Sequence, residues 1–144
     1  MKSLIGWASP LVLIVVLLVL IIRGDLLSWS PYVIAGQAAG VLLLLSGRLA
    51  SRGQQFRTAP EAGSGPLVRR GSYRLIRHPI YAGALLFLWA SVAGHWSILN
   101  GAFAAIVTAA VLVRIDVEEG FLRSTYSEYA AYSRETKRLV PFLF

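Results

Sequence analysis

The segment with the clearest chemical potential spans residues 77–83, where a basic loop gives way to an apolar stretch. Pro79 fits the first turn of a helix, so unpaired backbone N–H groups and the positive dipole end would face the loop. An anion or a ribose hydroxyl could bind there. Tyr81 offers a ring or a hydroxyl, and Gly83 leaves room for a flat group or a neighbouring helix. The pattern indicates a ligand with polar and aromatic parts; the alternative is interfacial anchoring by the two basic residues.

A second set of charged residues follows the next apolar stretch. Arg114 and Glu118 are four residues apart and hence share a helix face, with Asp116 and Glu119 beside them. Acidic side chains at a helix C-terminus oppose the macrodipole, and a bound cation that compensates them is one explanation. The alternative is a surface pair of Arg114 and Glu118, which contributes about 0.3 to 0.5 kcal/mol. That pair would leave Glu119 without a partner.

Composition places these residues in a membrane protein. The chain has 144 residues and is 56% hydrophobic, with a mean hydropathy of +0.64, and its apolar residues come in long blocks. The net charge of +7 comes from arginines crowded between two blocks, a distribution typical of membrane topology and not of nucleic-acid binding. The absence of cysteine excludes disulfides and thiolate ligands. No metal is expected, because His95 has no second ligand nearby in sequence.

Four apolar blocks approach the roughly 20 residues that a helix needs to cross a bilayer. They are Leu4 to Ile22, Pro31 to Gly47, Pro79 to Ala93 and Trp96 to Val113. A cleaved signal peptide is disfavoured for the first block, because Arg23 follows it without a small-residue cleavage pattern. Seven arginines between residues 48 and 77 predict a cytoplasmic loop and cytoplasmic termini. We predict an all-α integral membrane bundle of four transmembrane helices.

Smaller patterns refine this bundle. Small residues recur every four positions and predict close helix packing; they are Gly36 and Gly40 in the second block and Gly101, Ala105 and Ala109 in the fourth. Residues 51–65 have the composition of a flexible loop. If the fourth helix continues past the bilayer, Glu119, Leu122, Tyr126 and Tyr129 share one face. We predict a C-terminal amphipathic helix that lies at the interface or, alternatively, folds back over a cytoplasmic pocket.

The ordered set of motifs resembles the isoprenylcysteine carboxyl methyltransferase family, which is grouped with the phospholipid methyltransferases. The set is Leu67-Val68-x-x-Gly71-x-Tyr73-x-x-x-Arg77-His78-Pro79-x-Tyr81-x-Gly83, then Arg114-x-x-x-Glu118-Glu119, then Tyr126, Tyr129, Tyr132, Thr136, Arg138 and Pro141. It covers the second half of the chain and implies a multi-span enzyme that uses S-adenosylmethionine. Only two spans precede the motifs, fewer than in the family's longer members, so the acceptor stays open.

The resemblance also implies roles for individual residues. The implied cofactor-binding residues are Leu67, Val68, Tyr73, His78, Pro79, Ile80, Tyr81, Gly83 and Glu118. Arg114 would face the acceptor carboxylate, and Glu119 is the second catalytic candidate. The implied reaction is a direct displacement, in which the acceptor atom attacks the methyl carbon in line with the departing sulfur. A carboxylate acceptor needs no base, whereas an amine must lose a proton, for which His78 or Glu119 is the candidate base.

These inferences describe one domain, with two N-terminal transmembrane helices in residues 1–50. Residues 51–144 would hold the cofactor-binding loop, the third and fourth spans and the amphipathic helix. The predicted function is carboxyl methyl transfer to a lipophilic acceptor, with phospholipid N-methylation as the alternative. A non-enzymatic transporter or scaffold is the second alternative. The predicted partners are the bilayer and the acceptor, and the predicted location is a plasma or inner membrane, with the active site on the cytoplasmic side.

Overall fold

The described part of the chain is all-helical, as predicted. A computed structural model describes residues 2–52 and 66–141, with side chains from residue 10 onward. The helices are α1 (Lys2–Ile22), α2 (Pro31–Ala50), α3 (Pro79–Gly94), α4 (Ile98–Thr125) and α5 (Tyr129–Glu135), and a 3-10 helix, Gly71–Arg74, precedes α3. The predicted flexible loop lies outside the described residues from position 53 to position 65.

The helices begin where the sequence provides a suitable residue. Pro31 and Pro79 occupy the first positions of α2 and α3, where a missing N–H leaves no hydrogen bond unmade. Ser97 caps α4, because its hydroxyl accepts a hydrogen bond from the backbone N–H of Asn100 at 3.1 Å. Each of the four predicted apolar blocks therefore forms one helix.

The apolar core is shared by α1, α3 and α4. Its buried members are Val16, Leu20, Leu85, Leu88, Val92, Ala104, Val107, Val111 and Ile115. The series from Ala104 to Ile115 recurs every three or four residues, which places it on one face of α4. This face holds α4 against α1 and α3 and so fixes the helix that carries Glu118 and Glu119, which we call the acidic pair.

Helix α2 packs on the other side of α3 through glycines. A Cβ added at Gly83 would lie 2.5 Å from the backbone oxygen of Gly40, and one added at Gly40 would lie 2.8 Å from the oxygen of Gly83. The close packing predicted for α2 is thus confirmed. For α4 it is wrong within this chain, because Ala105 and Ala109 are exposed. Helices α2 and α3 can approach closely because a glycine has no side chain to separate the two backbones. On α4, by contrast, Ala105 and Ala109 face away from the other helices.

Helix α4 is longer than predicted, and it ends before the tyrosines. It continues past Val113 to Thr125, so the acidic pair lies inside the helix and not at its end. Tyr126 has extended backbone angles, and α5 begins at Tyr129. The predicted continuous face from Glu119 to Tyr129 is therefore wrong. The chain turns back at residues 126–128, which favours the folded-back alternative.

Two helices, α2 and α4, are long and apolar enough to cross a bilayer. Helix α3 and the part of α1 whose side chains are described, Pro10–Ile22, are apolar but shorter. Large apolar side chains are exposed along α1, α2 and α4. Trp29, Tyr32 and Trp96 are exposed near the α1–α2 and α3–α4 connections. Aromatic residues of this kind are typical of a membrane–water boundary.

Candidate active site

The start of α3 meets the acidic pair of α4 through a tyrosine hydroxyl. Tyr81 donates a hydrogen bond to Glu118 Oε2 at 2.9 Å and accepts one from Arg114 Nε at 3.2 Å. Arg114 and Glu118 do share a face, as their spacing predicted, but the hydroxyl lies between them. Two segments that the resemblance assigns to one site therefore meet in the structure. An acidic, a basic and a hydroxyl group converge at one point.

His78 lies directly behind this cluster. Its side chain is buried, and its ring stacks on Tyr81 with 5.7 Å between centroids and an interplanar angle of 29°. The backbone N–H of His78 donates to the carbonyl of Arg138 at 3.1 Å. The buried Nε2 atom lies 3.4 Å from Glu119 Oε1 but forms no hydrogen bond with any described residue. His78 is thus fixed by its backbone and its stacked ring.

Glu119 is a buried carboxylate surrounded by cations, with only 1% of its side chain exposed. Oε1 accepts from Arg77 Nε at 2.8 Å, and Oε2 accepts from Arg123 and Arg138 at 3.1 Å each. Helical spacing predicted no partner for Glu119, and the structure provides three arginines, which take the place of the bound cation considered above. Both oxygens already accept charge-assisted hydrogen bonds. This geometry favours a structural role, while the catalytic role of Glu119 stays a prediction.

Tyr73 lies in the 3-10 helix close to the same cluster. Burial, followed by the nearby Glu118 carboxylate, raises the pKa of Tyr73 to about 12. Its hydroxyl is therefore neutral at physiological pH. The 3-10 helix starts at Gly71, whose φ of +61° a residue with a side chain rarely adopts. The turn lies against the end of α2, where a Cβ added at Gly71 would be 3.1 Å from that of Ala50, and the role of Tyr73 in cofactor binding stays a prediction.

Leu67 and Val68 line a separate cavity of about 540 Å³ at the end of α2. The other lining residues are Ala50, Arg52, Pro66, Arg69 and Arg70. Arg70 closes one side by donating to the carbonyls of Ala50 and Arg52 at 2.8 and 3.2 Å. The cavity has apolar and basic walls, but Tyr81 and Glu118 do not line it. The described residues therefore place the predicted cofactor groups in two neighbouring regions.

Three other predicted cofactor residues contact α2. A Cβ added at Gly47 would lie 2.9 Å from the side chain of Ile80 and 3.0 Å from that of Pro79. Gly83 lies against Gly40, as described above. Of the two uses proposed for Gly83, the structure favours the neighbouring helix over a flat ligand. Contact of these three residues with a cofactor stays a prediction.

Three residues that shape the site were not predicted from the sequence to have a catalytic or cofactor-binding role. Arg77 donates to Glu119 and to the carbonyls of Ser133, at 2.8 Å, and Thr136. Arg138 pairs with Glu119 and with Asp116 Oδ1 at 3.0 Å. Arg77, Thr136 and Arg138 all belong to the motif set quoted above. Their presence in that ordered set was the one signal available, because no helical spacing links residue 77 to residues 119–138.

The donor set fits S-adenosylmethionine. Glu118 supplies a negative charge that suits a ligand with sulfonium and ammonium groups, and the stacked rings of His78 and Tyr81 suit a planar base. The neighbouring cavity beside Leu67 and Val68, which these three residues do not line, has a volume within the usual range of about 300 to 1,000 Å³ for small-molecule sites. The described residues contain no group of three or more His, Cys, Asp or Glu that could hold a metal ion.

Comparison with known proteins gives short but consistent matches. The chain is 38% identical over 96 residues to methanethiol S-methyltransferase 2 of Bradyrhizobium diazoefficiens, covering 64% of this chain and 31% of the relative. It is 33% identical over 72 residues to the methanethiol S-methyltransferase of Crocosphaera subtropica, covering 49% and 28%. It thus matches less than a third of these relatives' length. No solved structure matches.

A family model described as phospholipid methyltransferase matches residues 37–129, which is well over half of the chain. The matched segment runs from α2 to the start of α5. It therefore contains the motif at the start of α3, the acidic pair of α4 and the tyrosine hydroxyl that joins them. The chain belongs to the phospholipid methyltransferase family.

Proposed function

We propose that this chain is an S-adenosylmethionine-dependent methyltransferase that acts on a lipophilic acceptor at a membrane surface. The observation that carries the proposal is the Tyr81 hydroxyl, which joins Arg114 to Glu118. One contact thereby brings together a candidate acceptor-binding cation and a candidate cofactor-binding anion. Family membership supports the same reaction class.

All four apolar helices cross the membrane in this proposal. Helices α2 and α4 have the length and hydropathy for a span. Helix α3 has 16 residues, but it packs against both α2 and α4 and begins two residues after Arg77. The exposed aromatic residues Trp29, Tyr32 and Trp96 would mark the opposite boundary. The arginines then favour a cytoplasmic position for the active site.

The cofactor supplies an activated methyl group on a sulfonium sulfur when it is bound. Glu118 would hold a positively charged or hydroxyl-bearing part of it, and His78 and Tyr81 would face its planar base. Leu67 and Val68 offer apolar walls next to the arginines of the loop. Glu118 is partly buried, which strengthens its attraction to a cation.

Arg114 selects the acceptor in this proposal. Its Nε donates to Tyr81, and the positive charge and planar fork of a guanidinium suit a carboxylate. A lipophilic carboxylate is therefore our first candidate, because it arrives ionised. A thiol is the second candidate, supported by the names of the relatives. A thiol must lose its proton as its sulfur attacks the methyl group, and the Glu118 carboxylate, reached through the Tyr81 hydroxyl, would accept that proton.

Two alternatives have less support. The amine of a phospholipid, which the family description suggests, is protonated when it arrives, so a neighbouring cation repels it and it also needs a base. A transporter or scaffold would use Arg114 and Glu118 as separate interfacial anchors. Instead the two side chains are joined by one hydroxyl, and the chain belongs to a methyltransferase family.

Binding of S-adenosylhomocysteine to the purified chain in detergent tests the cofactor. We expect millimolar ligand to raise the melting temperature of the unaltered protein, and we expect His78→Ala and Glu118→Ala to abolish the increase. His95→Ala and Glu128→Ala are matched controls, because His95 lies at the opposite end of the bundle and Glu128 is exposed. An unshifted melting temperature of the unaltered protein would contradict the proposal.

Transfer of a radiolabelled methyl group to membrane extracts identifies the acceptor. A base-labile label indicates an ester, and a volatile labelled product indicates a small thioether. A base-stable label in a phospholipid headgroup indicates an amine and would overturn our choice of an anionic acceptor. Arg114→Gln should reduce transfer far more than S-adenosylhomocysteine binding, because Arg114 faces the acceptor.

A further inference from the structure

Residues 129–138 form a segment that lies against the loop before α3; we call it the C-terminal strap. The backbone N–H of Arg77 donates to the carbonyl of Lys137 at 2.7 Å, and that of Lys137 donates to Leu75 at 3.1 Å. The N–H of His78 donates to Arg138 at 3.1 Å. These bonds form a short parallel pairing centred on Ile76 and Lys137. The strap is therefore hydrogen-bonded to the residues that lead into α3.

Side chains reinforce this backbone pairing on both sides. The buried Tyr132 hydroxyl donates to the carbonyl of Tyr73 at 2.8 Å. Arg69 lies over the Tyr132 ring, 5.3 Å from its centroid. Arg77 reaches the carbonyls of Ser133 and Thr136. The strap thus contacts Tyr73 and His78, two residues with proposed roles in cofactor binding.

The charges of this region meet at Glu119. Its three arginine partners come from three parts of the chain: Arg77 from the loop, Arg123 from α4 itself and Arg138 from the strap. A carboxylate that is 1% exposed is costly to bury unless it is paired, so these bonds hold the three parts together. Both oxygens of Glu119 accept hydrogen bonds from arginines, which disfavours Glu119 as the acceptor of a substrate proton.

We propose that Glu119 is a positioning residue, which fixes the strap through Arg138 and the loop through Arg77 and thereby holds Tyr73 and His78 in place for the cofactor. Arg138 is the part of this network that the strap contributes. The inference rests on the proposed function for its binding measurement only. Protection of the strap backbone can be measured without any ligand.

Arg138 and Arg123 offer a matched pair for the test. Each contacts Glu119 Oε2 at 3.1 Å, so substitution with Gln removes one charge from the same oxygen. Arg123 is 57% exposed and belongs to the same helix as Glu119, whereas Arg138 is 27% exposed and belongs to the strap. Arg138 also pairs with Asp116, which is 62% exposed, and Asp116→Asn controls for that contact.

The experiment measures amide hydrogen exchange in residues 71–78 and 129–138 and the dissociation constant of S-adenosylhomocysteine. We expect Arg138→Gln to increase the exchange rates and the dissociation constant about tenfold each, because one charge-assisted hydrogen bond is lost. Arg123→Gln and Asp116→Asn should change each less than threefold. Arg138→Lys should restore most of the protection and the affinity, which a general loss of stability would not predict.

Equal effects of Arg138→Gln and Arg123→Gln would overturn the inference. A change in exchange without a change in affinity, or the reverse, would also overturn it. If Arg138→Gln does not give a monodisperse protein, the comparison of Arg138→Lys with Arg123→Lys decides the question in the same way. If the unaltered protein does not bind S-adenosylhomocysteine, the proposed function fails, while the exchange measurement still tests the strap.

Discussion

Replacement of Gly83 by Ala tests whether this motif glycine serves the neighbouring helix. The added Cβ would lie 2.5 Å from the backbone oxygen of Gly40 and 2.6 Å from the backbone nitrogen of Leu44. Ordinary contact begins at 3.4 Å, so α2 would have to move by roughly 0.9 Å. Backbone atoms cannot rotate away as a side-chain end can. We therefore expect overpacking, with a cost of about 1 to 3 kcal/mol.

Gly120→Ala is the matched control for this substitution. Gly120 also lies inside a helix, and a Cβ added there meets nothing within 4 Å. Both substitutions gain about 1 kcal/mol of helix propensity, so the difference between them isolates the overlap with α2. Gly120→Ala should be neutral or stabilising, and Gly83→Ala should be less stable than the control by about 1 to 3 kcal/mol.

Reversible unfolding in mixed detergent micelles measures this difference in the free energy of unfolding. Equal stability of the two variants would refute the helix-contact explanation. Binding of S-adenosylhomocysteine then tests the cofactor role: if Gly83 contacts the cofactor, affinity falls even in conditions where the Gly83→Ala protein is fully folded. Unchanged affinity in the folded variant would remove Gly83 from the cofactor set.

Three further results are expected. Tyr81→Phe keeps the stacked ring but removes the bond to Glu118, so methyl transfer measured with saturating cofactor should fall about tenfold or more. Burial raises the pKa of Tyr132 from 10.0 to about 12, so the neutral hydroxyl stabilises the fold fully below pH 10 and this contribution is lost as the pH rises to 12. Tyr132→Phe should weaken this alkaline loss of stability in thermal unfolding. Gln37→Leu removes donors to Ser91 at 2.9 Å and Leu26 at 2.7 Å and should cost about 0.6 to 2 kcal/mol in micelle unfolding.

The sequence predicted the helices well, because the features that start them are local. Apolar blocks have the length of a span, and Pro31, Pro79 and Ser97 begin the helices. The meeting of α3 with the acidic pair was also predictable, since it followed from the family resemblance. Gly36 and Gly40 indicated close packing of α2 by spacing alone.

The end of α4 and the position of the strap were not predictable from periodicity. The apolar and aromatic spacing continues smoothly from Glu119 to Tyr129, and no proline or glycine interrupts residues 121–128. The helix nevertheless ends at Thr125, and tertiary contacts hold the chain that follows. The bond from Arg138 to Glu119 joins residues 19 positions apart across a reversal of the chain. Helical spacing cannot indicate such a contact.

The two adjacent glutamates of α4 should give different defects when neutralised, because neighbouring residues on a helix point about 100° apart. Glu118 meets Tyr81, and Glu119 meets the arginine group. Glu119→Gln leaves arginines without their buried partner and should lower stability by about 3 kcal/mol. Glu118→Gln can still accept the tyrosine bond, so the melting temperature should hardly change while affinity for S-adenosylhomocysteine falls. If both variants lose stability equally, or if Glu119→Gln alone loses affinity at unchanged stability, this division of roles is wrong.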